Sequence, residues 1–162
     1  MDAKRMAQYA LLTALAMALG WLESLIPLAG AVPPGVKLGL TNLVVIFALY
    51  RMGPRDAAAI SLVRVVLVSF TFGNSYSFAY SLAGAALSLI VMTLLKRSGH
   101  FSLLGVSVAG GVSHNAAQIL VAMAVLETSR LVWYLPALLV SGVAAGVCVG
   151  AAGALLVRRV RL

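Results

Sequence analysis

Charged side chains are scarce in this sequence. They make up 10% of the 162 residues, against about a quarter in ordinary soluble domains. Too few polar groups remain to cover a water-facing surface, so no soluble domain of useful size is expected. Acidic residues are scarcer still, four in all, with Asp2 and Asp56 the two aspartates. Mg²⁺-dependent diphosphate chemistry needs clustered carboxylates to hold the metal. The chain has no such cluster, so catalysis by this chain alone is not expected. Cys148 is the single cysteine; it excludes an internal disulfide, lacks the surroundings of a metal site and reads as a small apolar helix residue. Walker A, G-x-S-x-G and H-E-x-x-H sequences are all missing, which excludes ATP hydrolysis by the P-loop route and those two hydrolase chemistries. No cofactor and no metal is implied. The net charge is +8, yet no basic stretch is interleaved with aromatics, so nucleic-acid binding is rejected.

What the sequence has in abundance is apolar length. Apolar residues make up 62% of the chain, and the mean hydropathy is +1.06. A helix crosses the hydrocarbon core with roughly 17–25 mainly apolar residues. Six segments qualify or nearly so: residues 6–28, 37–52, 55–72, 76–95, 101–126 and 131–157. The expected fold is a single all-α transmembrane domain over residues 1–162, a six-helix integral membrane bundle. The basic start followed by an apolar run imitates a signal peptide, but reads better as the first span. Breakers separate the spans at Met52-Gly53-Pro54, Phe72-Gly73-Asn74-Ser75 and Lys96-Arg97-Ser98-Gly99. The second segment is short, so Pro33-Pro34-Gly35 is expected to enter the membrane as irregular backbone covered by protein or lining a cavity.

Cation placement orients the bundle. With both termini cytoplasmic, the inner segments hold nine basic residues: Lys4, Arg5, Arg51, Arg55, Lys96, Arg97, Arg158, Arg159 and Arg161. The outer segments hold two, Lys37 and Arg130. The positive-inside rule favours this orientation and an even number of spans, in the plasma or inner membrane of a cell.

Polar side chains inside a membrane are costly and are functional candidates by default. Arg64 lies nine residues past Arg55, roughly 13 Å along a helix, near mid-membrane. Lys37, Thr41 and Asn42, Tyr76 and Ser81, and His114, Asn115 and Gln118 all fall between the middle and the outer edge. Glu23 sits near the outer end of the first span. Ser107, Gly111, His114 and Gln118 form one helical stripe at i, i+4, i+7 and i+11. Convergence from five spans suggests a cavity open to the outside, with Lys37, Asn42, Arg64, Ser81, His114, Asn115 and Gln118 as its substrate-binding residues. Arginine binds carboxylate or phosphate in bidentate fashion, so the substrate is expected to be small and anionic or amphipathic. Each residue also has a structural reading. Lys37 can snorkel to the interface. Arg64 can pair with Glu23 or with backbone carbonyls. His114, Asn115, Asn42 and Gln118 can join helices through hydrogen bonds. Tyr76, Tyr80, Trp133 and Tyr134 read as an interfacial aromatic belt. Ala10, Ala14 and Ala18 form a small-residue face that packs within the bundle or docks a membrane partner.

The blocks Pro34-Gly35-Val36-Lys37-Leu38-Gly39-Leu40-Thr41-Asn42, Gly53-Pro54-Arg55 and Leu62-Val63-Arg64-Val65 resemble the Gx transporter family, also described as heptaprenyl diphosphate synthase component I. Tyr80-Ser81-Leu82-Ala83-Gly84, the stretch from Phe101 to Ser107, and Ser113-His114-Asn115-Ala116-Ala117-Gln118 resemble it too. That family is similar to the substrate-binding S components of energy-coupling factor (ECF) transporters. The resemblance implies a six-helix fold, a ligand near the outer face, and association with a membrane coupling subunit and two ATPases. It also implies that Ala10, Ala14 and Ala18 form a docking face. The second description implies an alternative: a non-catalytic membrane component of polyprenyl diphosphate or quinone-precursor synthesis. A scaffold for membrane redox proteins is a weaker third reading.

Overall fold

The computed structural model describes residues 3–25, 39–72 and 75–160. Among them are six α-helices, one 3₁₀ turn and no strand. The helices are α1 (Ala3–Leu25), α2 (Leu40–Arg51), α3 (Pro54–Phe72), α4 (Ser75–Ser98), α5 (Leu103–Val125) and α6 (Leu135–Arg159). Among the described residues, three stretches are long and apolar enough to cross a membrane: Phe78–Ser98, Leu103–Val125 and Ser129–Arg159. This is a membrane protein. Helix α3 is long enough but carries Arg55, Asp56 and Arg64, and α1 carries Lys4, Arg5 and Glu23. The block Pro33-Pro34-Gly35 and the binding candidate Lys37 lie outside the described residues.

The element boundaries follow local chemistry. Gly39 stands at φ +72°, a left-handed conformation open to glycine, and its carbonyl accepts from the Asn42 amide at 2.8 Å to begin α2. Gly53 at φ +114° and Pro54 at the first position of α3 make the turn expected at Met52-Gly53-Pro54. Ser102 caps α5, its Oγ accepting the Gly105 amide at 3.2 Å. The last segment differs from expectation at its start. Ser129–Tyr134 form a 3₁₀ turn, and the α-helix begins only at Leu135, with Pro136 in its first turn. In that turn Trp133 is 83% exposed, as a residue of an interfacial belt would be.

Helix α2 is the centre of the core. Its run Val44, Val45, Ile46, Phe47, Ala48 and Leu49 is buried on every side. Leu12 and Ala16 of α1, Ile60 of α3, Met92 of α4, Val106 of α5 and Val149 of α6 belong to the same buried cluster. A helix that is apolar all round belongs where other helices surround it. That explains how 12 residues, about 18 Å of helix, serve here: protein covers α2, not lipid.

Helices α4, α5 and α6 form the tightest part of the bundle. Glycine permits it at the α5–α6 contact. A Cβ at Gly111 would lie 2.5 Å from the Gly142 carbonyl oxygen, and one at Gly146 would lie 2.5 Å from Cα of Val108. Both obstacles are backbone and cannot swing aside.

The cations gather at one end. Arg5 pairs with Asp56 at 2.9 Å, and Tyr9 Oη donates to the same carboxylate at 2.5 Å, joining α1 to α3. Arg51 donates to the Val157 carbonyl, joining α2 to α6. Lys96 donates to the Leu49 carbonyl at 2.6 Å and stands 4.9 Å from the centre of the Tyr50 ring. These contacts tie the starts of α1 and α3 and the ends of α2, α4 and α6 into a basic base.

Gly146→Ala should therefore destabilise the bundle by about 1–3 kcal/mol, the usual cost of overpacking. Thermal unfolding in detergent reads it, with Cys148→Ala, at an exposed position two residues away, expected to leave the midpoint unchanged.

Candidate functional site

A cavity of about 180 Å³ opens among the helices, away from the basic base, and all six contribute to its wall. From α1 come Gly20 and Glu23; from α2, Thr41 and Asn42; from α3, Arg64 and Ser69. Helix α4 adds Ser81, α5 adds His114, Asn115 and Gln118, and α6 adds Gly142 and Ala145. Six of the seven residues expected to bind substrate thus line one hollow: Asn42, Arg64, Ser81, His114, Asn115 and Gln118. The seventh, Lys37, lies outside the described residues.

Arg64 dominates the site. It is 8% exposed, and its Nη1 donates to Thr41 Oγ1 at 2.6 Å. Its Nε is buried with no hydrogen-bond partner among the described residues. A guanidinium has five N–H donors, and an unsatisfied one in a dry site costs about 1–3 kcal/mol or more. The opposing carboxylate, Glu23, accepts the Gly39 amide at 2.6 Å. Arg64 and Glu23 share the wall but make no direct ion pair, so the pairing weighed from the sequence is not what holds the arginine. Thr41 does that.

Asn115 divides its duties. Its Nδ2 donates to the Leu138 carbonyl at 2.7 Å and to Ser141 Oγ at 3.3 Å, fastening α5 to α6. The helix-joining role is therefore occupied, and its amide oxygen is the group left to offer the cavity. His114 and Gln118 pack against Gly84 of α4, where a Cβ would lie 2.8 Å from His114 Cε1 and 3.0 Å from Gln118 Cγ. The absent side chain at Gly84 is what gives the imidazole its place. The stripe on α5 splits accordingly: Gly111, His114 and Gln118 face the cavity, while Ser107 is buried against Gly146 and Gly150.

Ser69, Gly142 and Ala145 were not anticipated as wall residues. No sequence signal marked Ser69, a single hydroxyl in an apolar run. The pairing of Gly142 with Gly111 was signalled only by glycines recurring along two spans.

Ala10, Ala14 and Ala18 are exposed, while Leu12 and Ala16 of the same helix are buried. The alanine face is turned out of the bundle, so packing within it is not its role. Tyr9, Ala10, Thr13, Ala14 and Met17 border an open apolar groove of about 390 Å³, closed on its far side by Ala59, Ile60, Val63 and Leu67 of α3.

A family model described as heptaprenyl diphosphate synthase component I matches residues 12–156. The chain belongs to that family. The match takes in every described wall residue of the cavity, from Gly20 to Ala145. No curated protein and no solved structure matches the chain. The family's description names a component of a synthase. Among the described residues no group of three His, Cys, Asp or Glu side chains is placed to hold a metal ion.

The Arg64–Thr41 bond gives a direct test. Thr41→Val should cost about 1–3 kcal/mol in thermal stability by stranding Nη1, while Thr41→Ser, which keeps the hydroxyl, should restore most of it. A loss in Thr41→Ser with none in Thr41→Val would show that the threonine methyl, not its oxygen, matters.

Proposed function

We propose that this chain is the solute-binding subunit of a membrane transport system, crossing the bilayer six times with its basic base in the cytoplasm. The nine-to-two division of cations favours this orientation. On that reading the cavity faces the outer half of the membrane. One observation carries the functional reading: a buried, incompletely bonded arginine faces a hollow walled by hydroxyl, amide and imidazole groups from separate helices. Burying such groups around a space is costly unless a guest completes them. The guest's acidic group would bind Arg64, and Asn42, Ser81, His114 and Gln118 would set its orientation. Lys37, a further cation of the sequence, would add positive charge for the guest's acidic group. The resemblance to S components of ECF transporters supports a coupling subunit with ATPases as partner, and the exposed Ala10, Ala14 and Ala18 are the face to receive it.

The family description favours a second reading, an accessory membrane subunit of polyprenyl diphosphate synthesis. The cavity's volume weighs against its holding a polyprenyl chain, since pockets for drug-sized ligands are roughly 300–1,000 Å³. Its single described carboxylate weighs against metal–diphosphate chemistry within it.

The two readings part on one experiment. Protein purified from membranes in mild detergent should carry a small molecule detectable by mass spectrometry. Arg64→Gln should lose it, because truncating one member of a buried charge contact costs about 2–5 kcal/mol, some thirtyfold or more in affinity. Arg64→Lys should recover part of the binding, lacking the planar fork. If both variants retain the wild-type guest, while addition of the chain to a soluble prenyl synthase changes that enzyme's rate or product length, the accessory reading replaces the transport one.

A further inference from the structure

We infer that the guest is a small zwitterion, with an acid group for Arg64 and a cationic nitrogen for Glu23. This rests on the binding role of the cavity proposed above. The basis is how the two charges are held. Glu23 reaches the cavity from α1 and Arg64 from α3, yet each is anchored to the first turn of α2. The carboxylate takes the amide of Gly39, and the guanidinium donates to Thr41, two residues on. Opposite charges in a low-dielectric interior attract strongly and, unrestrained, close into contact. Here the backbone amide and the hydroxyl occupy one side of each group, and no direct ion pair forms. The hollow thus presents a fixed dipole, with Arg64 in one part of its wall and Glu23 in another.

A dipolar guest satisfies both poles at once. Its carboxylate accepts from Arg64, and its ammonium donates to Glu23. A simple anion of the same size would set its charge beside the Glu23 carboxylate, and a diphosphate would do so with more charge still. Like charges at close quarters exclude a wrong partner more effectively than missing contacts do. Glu23 is on this account the selectivity residue and Arg64 the affinity residue. The volume of about 180 Å³ suits a guest of amino-acid size.

The test is a thermal-shift and equilibrium-binding panel on the full chain in lipid nanodiscs. The probes are the standard amino acids and glycine betaine, each amino acid paired with its 2-hydroxy acid and its amide, together with inorganic phosphate and pyrophosphate. At least one zwitterion should bind tenfold or more tightly than its hydroxy-acid partner. In Glu23→Gln that gap should shrink to threefold or less. The wild-type comparison stands by itself if the variant does not fold. A hydroxy acid, phosphate or pyrophosphate that binds as tightly as the best zwitterion overturns the assignment, and so does silence from every zwitterion. In either case a co-purifying guest that Arg64→Gln loses would still uphold the cavity as a binding site, so the two failures are distinguishable.

Discussion

A guanidinium in the middle of an apolar bundle is the constraint around which this molecule is arranged. Arg64 cannot shed its charge as a lysine or carboxylate can, so its surroundings must supply hydrogen-bond acceptors or room. Thr41 supplies one partner at 2.6 Å, and the cavity supplies the room. The remaining wall groups follow from that. Hydroxyls, amides and an imidazole from neighbouring helices tolerate a shared polar hollow because each would be worse placed against lipid. A leucine at position 64 would remove the reason for the others to converge.

The helices divide the labour. Helices α4, α5 and α6 form the frame, locked by glycine contacts at Gly111, Gly142 and Gly146 and by the Asn115 bond to the Leu138 carbonyl. Close backbone approach is how membrane helices associate when no hydrophobic force separates protein from solvent. Helices α1 and α3 pack less extensively, and they bring the two charges, Glu23 and Arg64. The short α2 lies between, apolar on all sides through Val44–Leu49, and at its start Gly39 and Thr41 hold those charges.

Much of this was readable from residue types alone. Polar residues in apolar runs have few reasons to exist, so counting depth along each run brought Asn42, Arg64, Ser81, His114, Asn115 and Gln118 to one zone, and they line one cavity. Periodicity likewise placed Gly111, His114 and Gln118 on one face. The sequence was mute where a role depends on a partner in another helix. Nothing in the local sequence says that the Asn115 amide belongs to α6, that Thr41 rather than Glu23 holds Arg64, or that the alanines of α1 turn outward. Those outcomes rest on helix rotation, which depends on the sum of weak packing contacts across the bundle. The 3₁₀ start of the last segment was missed for a different reason. Residues 131–134 are apolar enough for a span, and hydropathy does not register that Pro136 displaces the helix start.

The cations on which the proposed orientation rests also do structural work, and this joins topology to mechanics. The last four carbonyls of any helix lack partners within it. Arg51 serves one such carbonyl at the end of α6, and Lys96 serves another at the end of α2. Asp56, the buried acid at this end, gathers Arg5 and Tyr9. A charge of the base is thus also a rivet between helices, and a substitution that removes one will loosen the base. Of the hydrogen bonds between elements, those at the base link α1 to α3, α2 to α6 and α2 to α4, whereas those at the cavity link α1 and α3 to the start of α2, and α5 to α6. The bonds of the base stand apart from the cavity, while Glu23 and Arg64 are both in its wall and in the bonds that hold α1 and α3 to α2, so a change within the hollow reaches α1 and α3 before it reaches the base.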